Sequence, residues 1–225
     1  MTHEEHHRVL VKRLASSIAP VRRLWPISAR LALWLAVEAA VLTWVVAHTR
    51  NDFVPKLAWP SYVLEVVSFA LAAAFSAHIA LRSAIPGRSV LSTEAGFIIS
   101  LVLAGTAAFI LAWPIDTSGS LSEFVRVGMR CARDTCLLAS LPWLALWWAV
   151  RRGAPLQGGI SGAWVGAGAL FFAFAMMRIA CPIDEPLHLI TWHLLPALAA
   201  IALSALAGRA WLGFNLRLLR RHRAA

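Results

Sequence analysis

The chain has 225 residues, of which 60% are hydrophobic and only 14% are charged. Soluble domains use about 25% charged residues, so this composition excludes a soluble globular domain and predicts an integral membrane protein. The formal net charge of +10 could indicate a nucleic-acid partner. The basic residues, however, lie in the tails and at the ends of apolar runs, where they orient helices and meet anionic lipid. We therefore expect a lipid bilayer as partner and no direct nucleic-acid binding.

The segment 1–30 is polar and basic, and it precedes the first apolar run. Apolar side chains recur there at helical spacing and predict a short amphipathic helix from Glu4 to Ser17, which Pro20 ends because proline lacks a backbone N–H. Such a helix can lie in the membrane surface or dock into a soluble partner, and its modest length and mixed charges favour docking. Its apolar face comprises Val9, Leu10, Leu14 and Ile18.

Six apolar runs follow, and their lengths match the roughly 20 residues with which a helix crosses a hydrocarbon core. They lie at residues 31–48, 61–84, 95–113, 135–150, 160–180 and 187–207. The predicted fold is therefore all-α, a polytopic bundle of six transmembrane helices over residues 31–207. A cytoplasmic segment at 1–30 precedes this bundle, and a basic cytoplasmic tail at 208–225 follows it.

Two local patterns refine the predicted bundle. A capping box from Ser120 to Glu123 predicts that the fourth helix begins before its apolar run and extends from Leu121 to Val150. In the fifth run, small residues repeat every four positions on one helix face, which predicts close approach of another helix. These small residues are Gly158, Gly162 and Gly166.

The orientation follows from the distribution of positive charge. Of the 21 lysines and arginines, 15 lie in the tails and loops on one side of the predicted bundle and six lie on the other. The side with more lysine and arginine normally faces the cytoplasm. Because six spans return the chain to its starting side, both termini are predicted to be cytoplasmic.

Few ionisable groups lie inside the predicted spans, and each needs a partner there. Glu38 and His78 lie roughly 9–12 Å from the same boundary of the bilayer, at about 1.5 Å rise per residue. We expect them to form a buried pair with a structural role, which we favour over a proton or substrate path. Glu65 and His48 could pair in the same way near the outer face.

Residues 181–193 concentrate reactive side chains in a short break between two hydrophobic runs. Cys181 is predicted to close one helix, and two prolines bracket a tight turn before the next helix begins. On that next helix His188 and Trp192 share a face, whereas His193 points about 100° away. The stretch fits either a thiol or metal sensor, or a polar turn whose side chains cap helix ends.

Two of the three cysteines, Cys131 and Cys181, are predicted to lie at the outer membrane boundary, where disulfides and metal exchange are possible. The third, Cys136, lies deeper on the same helix as Cys131 and is expected to behave as a small hydrophobe. The outer pair could form a disulfide if their helices are neighbours, or could bind a soft metal transiently together with His188. No cofactor is required for either chemistry.

Charged neighbours are expected to tune the two outer thiols. Cys131 lies among arginines, whose positive charge favours the reactive thiolate. Cys181 is followed by two carboxylates, which should make it the less reactive thiol of the pair. The possible neighbours of the sensor are Arg130, Arg133, Asp184, Glu185, His188 and His193.

Three segments carry a resemblance to a known family. They are Pro20-Val-Arg-Arg-Leu24, Arg130-Cys131-x-x-x-Thr135 and Cys181-Pro-x-Asp-Glu-Pro-x-His188-x-x-x-Trp192-His193. Together with the six apolar runs, these segments resemble the NrsF-type anti-sigma factors, which are six-span proteins of bacterial inner membranes. The resemblance covers nearly the whole chain, and the two cysteine segments are its most specific parts.

This resemblance implies a regulator of the bacterial inner membrane that is not an enzyme. Residues 1–30, including Arg22 and Arg23, would bind an extracytoplasmic-function sigma factor and hold it inactive. Cys131 and Cys181 would be the sensing pair, and an envelope signal such as a thiol-active metal or oxidation would release the sigma factor.

Two other classes of protein fit the chain less well. A membrane thiol oxidoreductase would be expected to carry a Cys-x-x-Cys pair, which this sequence lacks. A metal-ion transporter would need polar groups near the midplane of several spans, whereas here they cluster at the predicted outer edge. The regulatory interpretation is therefore the preferred one.

Overall fold

A computed structural model describes residues 3–16, 24–86, 92–112 and 120–212, and it is helical throughout, with no β-strand in these ranges. The helices are α1 His3–Ser16, α2 Ile27–Ala47, α3 Phe53–Lys56, α4 Pro60–Ser83, α5 Ser92–Ala112, α6 Leu121–Arg151, α7 Gly158–Ala180, α8 Pro186–Leu189 and α9 Leu195–Ala207. A π-helical segment, Ile190–Leu194, joins α8 to α9, and a second one, Gly208–Leu212, continues α9. The all-α fold class is therefore confirmed.

Four helical stretches are long and apolar enough to cross a membrane, which agrees with an integral membrane protein. They are Ile27–Ala47, Pro60–Ser83, Gly158–Ala180 and Pro186–Leu212. The third predicted run contains a shorter apolar stretch, Glu94–Ala108. The fourth run belongs to α6, whose first part carries several charged residues. Six spans and a cytoplasmic location of both termini therefore remain predictions.

The capping box predicted the start of α6 correctly. The helix begins at Leu121, and the Ser120 hydroxyl accepts a hydrogen bond from the backbone N–H of Glu123 at 3.3 Å. One continuous helix then extends to Arg151 despite Pro142 in its interior. As predicted, the fourth apolar run and the segment that carries Cys131 are parts of one helix.

Helix α7 is the centre of the bundle, and α4, α6 and α9 pack around it. The predicted close approach at its glycines is confirmed, because a Cβ added to Gly162 would lie 2.3 Å from the carbonyl oxygen of Ser204. The Ser204 hydroxyl in turn donates to the carbonyl of Gly162 at 2.7 Å. This contact fixes α9 against α7 and so aligns the segment that contains His188 and His193.

The expected pairs inside the membrane are not formed. Glu38 is buried, and neither of its carboxyl oxygens has a hydrogen-bond partner within the described ranges. His78 instead lines a pocket with Glu94 and Phe97 on the side of α4 that faces α5. The matched depth was a poor guide because it does not fix the direction in which each helix turns its side chain.

The second expected pair is also wrong. Glu65 accepts a hydrogen bond from Arg178 Nε at 2.5 Å, and both side chains are almost completely buried. His48 Nδ1 instead lies 2.8 Å from the carbonyl oxygen of Trp44, one turn earlier in α2. The buried partner of Glu65 is thus an arginine near the end of α7 rather than a histidine.

The amphipathic N-terminal helix is confirmed as α1, within one residue of its predicted bounds at each end. Val9, Leu10 and Val11 are between 44% and 61% exposed, so α1 presents apolar side chains to its surroundings. The other residues predicted to bind the partner lie outside the described part of the structure: the side chain of Leu14, and Ile18, Arg22 and Arg23 entirely.

Candidate functional site

The turn between α7 and α8 is fixed in place by Arg50. Helix α7 ends at Ala180, and Pro182 prevents its continuation. The backbone N–H of Cys181 closes the helix by donating to the carbonyl of Met177 at 2.7 Å. The Arg50 guanidinium donates to the carbonyls of Cys181 and Pro182 at 2.9 and 3.1 Å. The backbone of the turn is thus held by a side chain from a distant part of the chain.

Asp184 is the centre of an ionic network in this turn. Its carboxylate accepts from Arg50 at 2.8 Å, from Lys56 at 2.6 Å and from Arg178 at 3.1 Å. Burial would raise the pKa of Asp184, but the hydrogen bonds from Arg50 and Lys56 outweigh it and lower the pKa to about 2. The carboxylate therefore pairs with three cations, rather than acting on the neighbouring thiol as predicted.

Two thiols and two imidazoles converge beside this turn. The Sγ atoms of Cys131 and Cys181 lie 3.8 Å apart, and both cysteines are free. His188 Nε2 lies 3.8 Å from Cys181 Sγ and 3.3 Å from His193 Nε2. The four ligand atoms all lie within 4.8 Å of one another. We call these four residues the Cys2His2 cluster.

The π-helical segment Ile190–Leu194 explains why His193 belongs to the cluster. An α-helix would turn side chains five residues apart to different faces. Hydrogen bonds of the i to i+5 type instead widen the turn and bring residues five apart towards the same face. His188 and His193 are therefore on the same face, with their ring centroids 5.3 Å apart. The divergence expected from an α-helix is wrong.

Trp192 anchors the π-helical segment against α6. Its indole ring lies directly over Gly128, where an added Cβ would come within 2.1 Å of the ring. Phe124, one turn earlier on α6, contacts both Trp192 and His188 with ring centroids 5.6 and 6.3 Å apart. The absence of a side chain at residue 128 therefore sets the distance between α6, which carries Cys131, and the segment that carries the imidazoles.

The electrostatics of the thiol pair reverse the predicted order of reactivity. The hydrogen bond with the Cys131 thiol lowers the pKa of Cys181, burial opposes this change, and the imidazoles of His188 and His193 lower the pKa further. The pKa of Cys131 is raised, because its proton is shared with Cys181 and its side chain is partly buried. These opposite pKa shifts favour Cys181 over Cys131 as the thiolate of the pair.

The arginines near Cys131 do not favour its thiolate as predicted. Arg133 pairs with the adjacent Asp134 at 2.8 Å, and both Arg130 and Arg133 are exposed. Glu185 precedes α8 and is only partly buried. Cys136 is exposed and is not part of the cluster. Of the possible neighbours of the sensor, only the two histidines contact a thiol in the described structure.

Two distances within the cluster match those of a tetrahedral metal site. With Zn–S bonds of about 2.3 Å and Zn–N bonds of about 2.0 Å, a tetrahedral site has roughly 3.8 Å between sulfurs and roughly 3.3 Å between nitrogens. The observed separations are 3.8 Å between the two Sγ atoms and 3.3 Å between the two Nε2 atoms. Two neutral imidazoles with Nε2 atoms this close also need a proton or a cation between their lone pairs. The residues therefore fit a soft divalent ion.

Comparison with known proteins identifies the family to which this chain belongs. The NrsF family, described as negative regulator of sigma F, matches residues 14–214 and so covers most of the chain. No curated protein and no solved structure matches the chain. The matched range includes all four members of the Cys2His2 cluster. The chain belongs to the NrsF family, the negative regulators of sigma F.

Proposed function

We propose that this protein is a membrane-bound anti-sigma factor whose Cys2His2 cluster controls release of the sigma factor. The cytoplasmic segment 1–30 binds an extracytoplasmic-function sigma factor, and the cluster faces the opposite side of the inner membrane. Membership of the NrsF family supports a negative regulator that is not an enzyme. The exposed apolar side chains of α1 support a docking surface for a partner protein.

The observation that carries the proposed sensing mechanism is the convergence of four ligand atoms within 4.8 Å. Thiolate and imidazole donors in equal number select soft or borderline divalent ions such as zinc and cadmium. Because the pKa of Cys181 is lowered and that of Cys131 is raised, Cys181 is the first ligand available, and Cys131 must lose its proton for the set to be complete. This chemistry makes thiol-active metals the favoured signal.

Oxidation is a second input to the same cysteines. Formation of a Cys131–Cys181 disulfide removes two protons and two electrons, which an oxidant in the envelope must accept. The two sulfurs now lie 3.8 Å apart. They would have to approach to the bonded distance of about 2.05 Å. Because a disulfide consumes both thiolates, metal binding and oxidation of the cluster exclude one another.

The cluster links two parts of the bundle. Cys131 belongs to α6, whereas Cys181, His188 and His193 belong to the stretch from the end of α7 to the π-helical segment. An ion or a disulfide therefore fixes α6 relative to this stretch. Helix α6 ends beside the beginning of α2, whose first turn belongs to the N-terminal segment 1–30. A movement of α6 thus provides a physical route to the sigma-binding region.

The proposal can be tested on full-length protein in lipid nanodiscs with a purified cognate sigma factor. Cadmium is expected to weaken sigma binding at least about tenfold in the wild-type protein and not in the Cys181→Ser protein. The matched control is Cys136→Ser, which removes an exposed thiol on the same helix as Cys131 and should respond like the wild type. An equal loss of response in both variants would refute the role of the cluster, and a failure of segment 1–30 to bind the sigma factor would refute the anti-sigma function.

A further inference from the structure

A groove at the opposite end of the bundle from the Cys2His2 cluster combines an apolar lining with two arginines. It lies between the beginning of α2 and the end of α6 and has a volume of about 360 Å³. Trp25, Trp34 and Trp148 form much of its wall, and Arg30 and Arg152 contribute positive charge. Such a combination suits a molecule with an anionic group and a hydrocarbon part.

Among the described residues, Arg30 has no counter-ion in this groove. Its side chain is buried, with 7% of the residue exposed, and its Nε and Nη2 atoms have no hydrogen-bond partner within the described ranges. Nη1 makes one long contact, 3.5 Å to the carbonyl oxygen of Ala149. Burial of an unpaired guanidinium is unfavourable, so an anion that reaches Arg30 would stabilise the fold.

The described residues around the groove offer Arg30 no suitable anion. Residues 17–23, which precede the groove residue Leu24 in sequence, contain two arginines and no acidic residue. Glu38 lies on the same face of α2, but roughly 12 Å further along the helix at about 1.5 Å per residue. Trp34 lies between them and donates from its indole to the carbonyl of Pro142 at 3.1 Å. The positive end of α2, where Pro26 provides no side-chain cap, also favours an external anion.

We propose that this groove binds one anionic phospholipid, with its phosphate between Arg30 and Arg152 and an acyl chain along the tryptophan wall. Guanidinium groups match phosphate geometry through paired hydrogen bonds. Arg152 is exposed and stacks on Trp148 with its guanidinium carbon 4.4 Å from the ring centroid, so it can turn to a phosphate at the rim. The groove lies at the beginning of the apolar helix α2 and the end of α6, and phospholipid headgroups meet transmembrane helices at their ends. This inference is independent of the proposed sensor.

Native mass spectrometry of the full-length protein in detergent tests the proposal. Dioleoyl phosphatidylglycerol is expected to bind with one-to-one stoichiometry and about tenfold more tightly than dioleoyl phosphatidylcholine, because the zwitterionic headgroup carries no net negative charge. Arg152→Gln should reduce phosphatidylglycerol affinity severalfold, and Arg30→Gln by about tenfold. The matched control is Arg151→Gln, which removes an exposed arginine adjacent to Arg152 but outside the groove. It should change the affinity by less than about twofold.

Three outcomes would overturn the proposal. Equal affinity for the two lipids in the wild-type protein would show that the acyl chains alone bind. An equal effect of Arg151→Gln and Arg152→Gln on phosphatidylglycerol affinity would show that only the overall positive charge matters. Because Arg152 is exposed, this comparison does not depend on whether the Arg30 variant folds. Displacement of phosphatidylglycerol by equimolar inorganic phosphate would show that the site takes a free anion rather than a lipid.

Discussion

Two regions of the bundle differ in whether their buried charged groups have ionic partners. Around the turn that follows α7, Arg50, Arg178 and Asp184 all have ionic partners at hydrogen-bond distance. Along the buried face of α2, neither the carboxyl oxygens of Glu38 nor two of the three nitrogens of Arg30 have a partner in the described structure. The first arrangement holds a backbone turn in one geometry, and the second leaves the fold able to gain stability from a ligand.

Removal of one carboxylate from each region should have the largest and most different effects on stability. Glu65→Met removes a partner of the buried Arg178 guanidinium. It should therefore lower the free energy of unfolding by about 3–5 kcal/mol. Glu38→Met is the same exchange of side chains, but it removes a carboxyl group that has no hydrogen-bond partner in the described structure. It should therefore leave the free energy of unfolding unchanged or raise it. Reversible unfolding in SDS measures both, and similar destabilisation by the two substitutions would contradict the distinction between the regions.

A second substitution tests the packing that positions the imidazoles. Gly128→Ala places a methyl group within 2.1 Å of the Trp192 ring, so either the ring or the π-helical segment must move. We expect a loss of about 1–3 kcal/mol in stability, with weaker cadmium binding because His188 and His193 shift away from Cys131. Cadmium titration and SDS unfolding on the same samples check both effects.

The control for this substitution is Gly96→Ala in α5. An added Cβ at residue 96 meets no atom within 4 Å. Alanine is also the better helix former, so stability should not fall. If Gly128→Ala behaves like Gly96→Ala in both measurements, the indole of Trp192 does not set the distance between α6 and the π-helical segment.

The smallest expected effect is the pH dependence of the ionic network. The pKa of Asp184 is lowered to about 2 in the folded protein, below its ordinary value of 3.8. Its contribution to stability is therefore complete above the ordinary value and is lost as the pH falls through the folded value, so the free energy of unfolding should decrease between about pH 4 and 2. Asp184→Asn should show a smaller decrease over the same interval. If the free energy of unfolding falls equally in both proteins over this pH interval, Asp184 does not stabilise the turn through its ionic pairs.

Local sequence patterns predicted much of the fold. The capping box at Ser120 predicted the first residue of α6, and the glycine repeat predicted the close approach of another helix, which the structure shows between Gly162 and Ser204. The two outer cysteines were expected at one depth, and the structure brings their sulfurs to 3.8 Å. Each of these predictions depends on helix length, helix periodicity or a local capping signal, which neighbouring residues in the sequence encode.

The errors concern quantities that local sequence does not encode. Depth in the membrane gave no information on the rotation of α2 and α4, so the Glu38–His78 pair was wrong. The π-helical segment changes the helical period at His193, and no residue between 190 and 194 signals this change by itself. Arg50 reaches the backbone of Cys181 from a distant part of the chain, and such a contact follows from tertiary packing alone.

The most direct test of the central claim is X-ray absorption spectroscopy of the full-length protein loaded with one equivalent of zinc. A Cys2His2 site predicts two sulfur ligands at about 2.3 Å and two nitrogen ligands at about 2.0 Å from the ion. In the His193→Ala protein the second imidazole should be lost while both sulfurs remain. A zinc environment with only oxygen and nitrogen ligands, or one that does not change in the His193→Ala protein, would contradict the account.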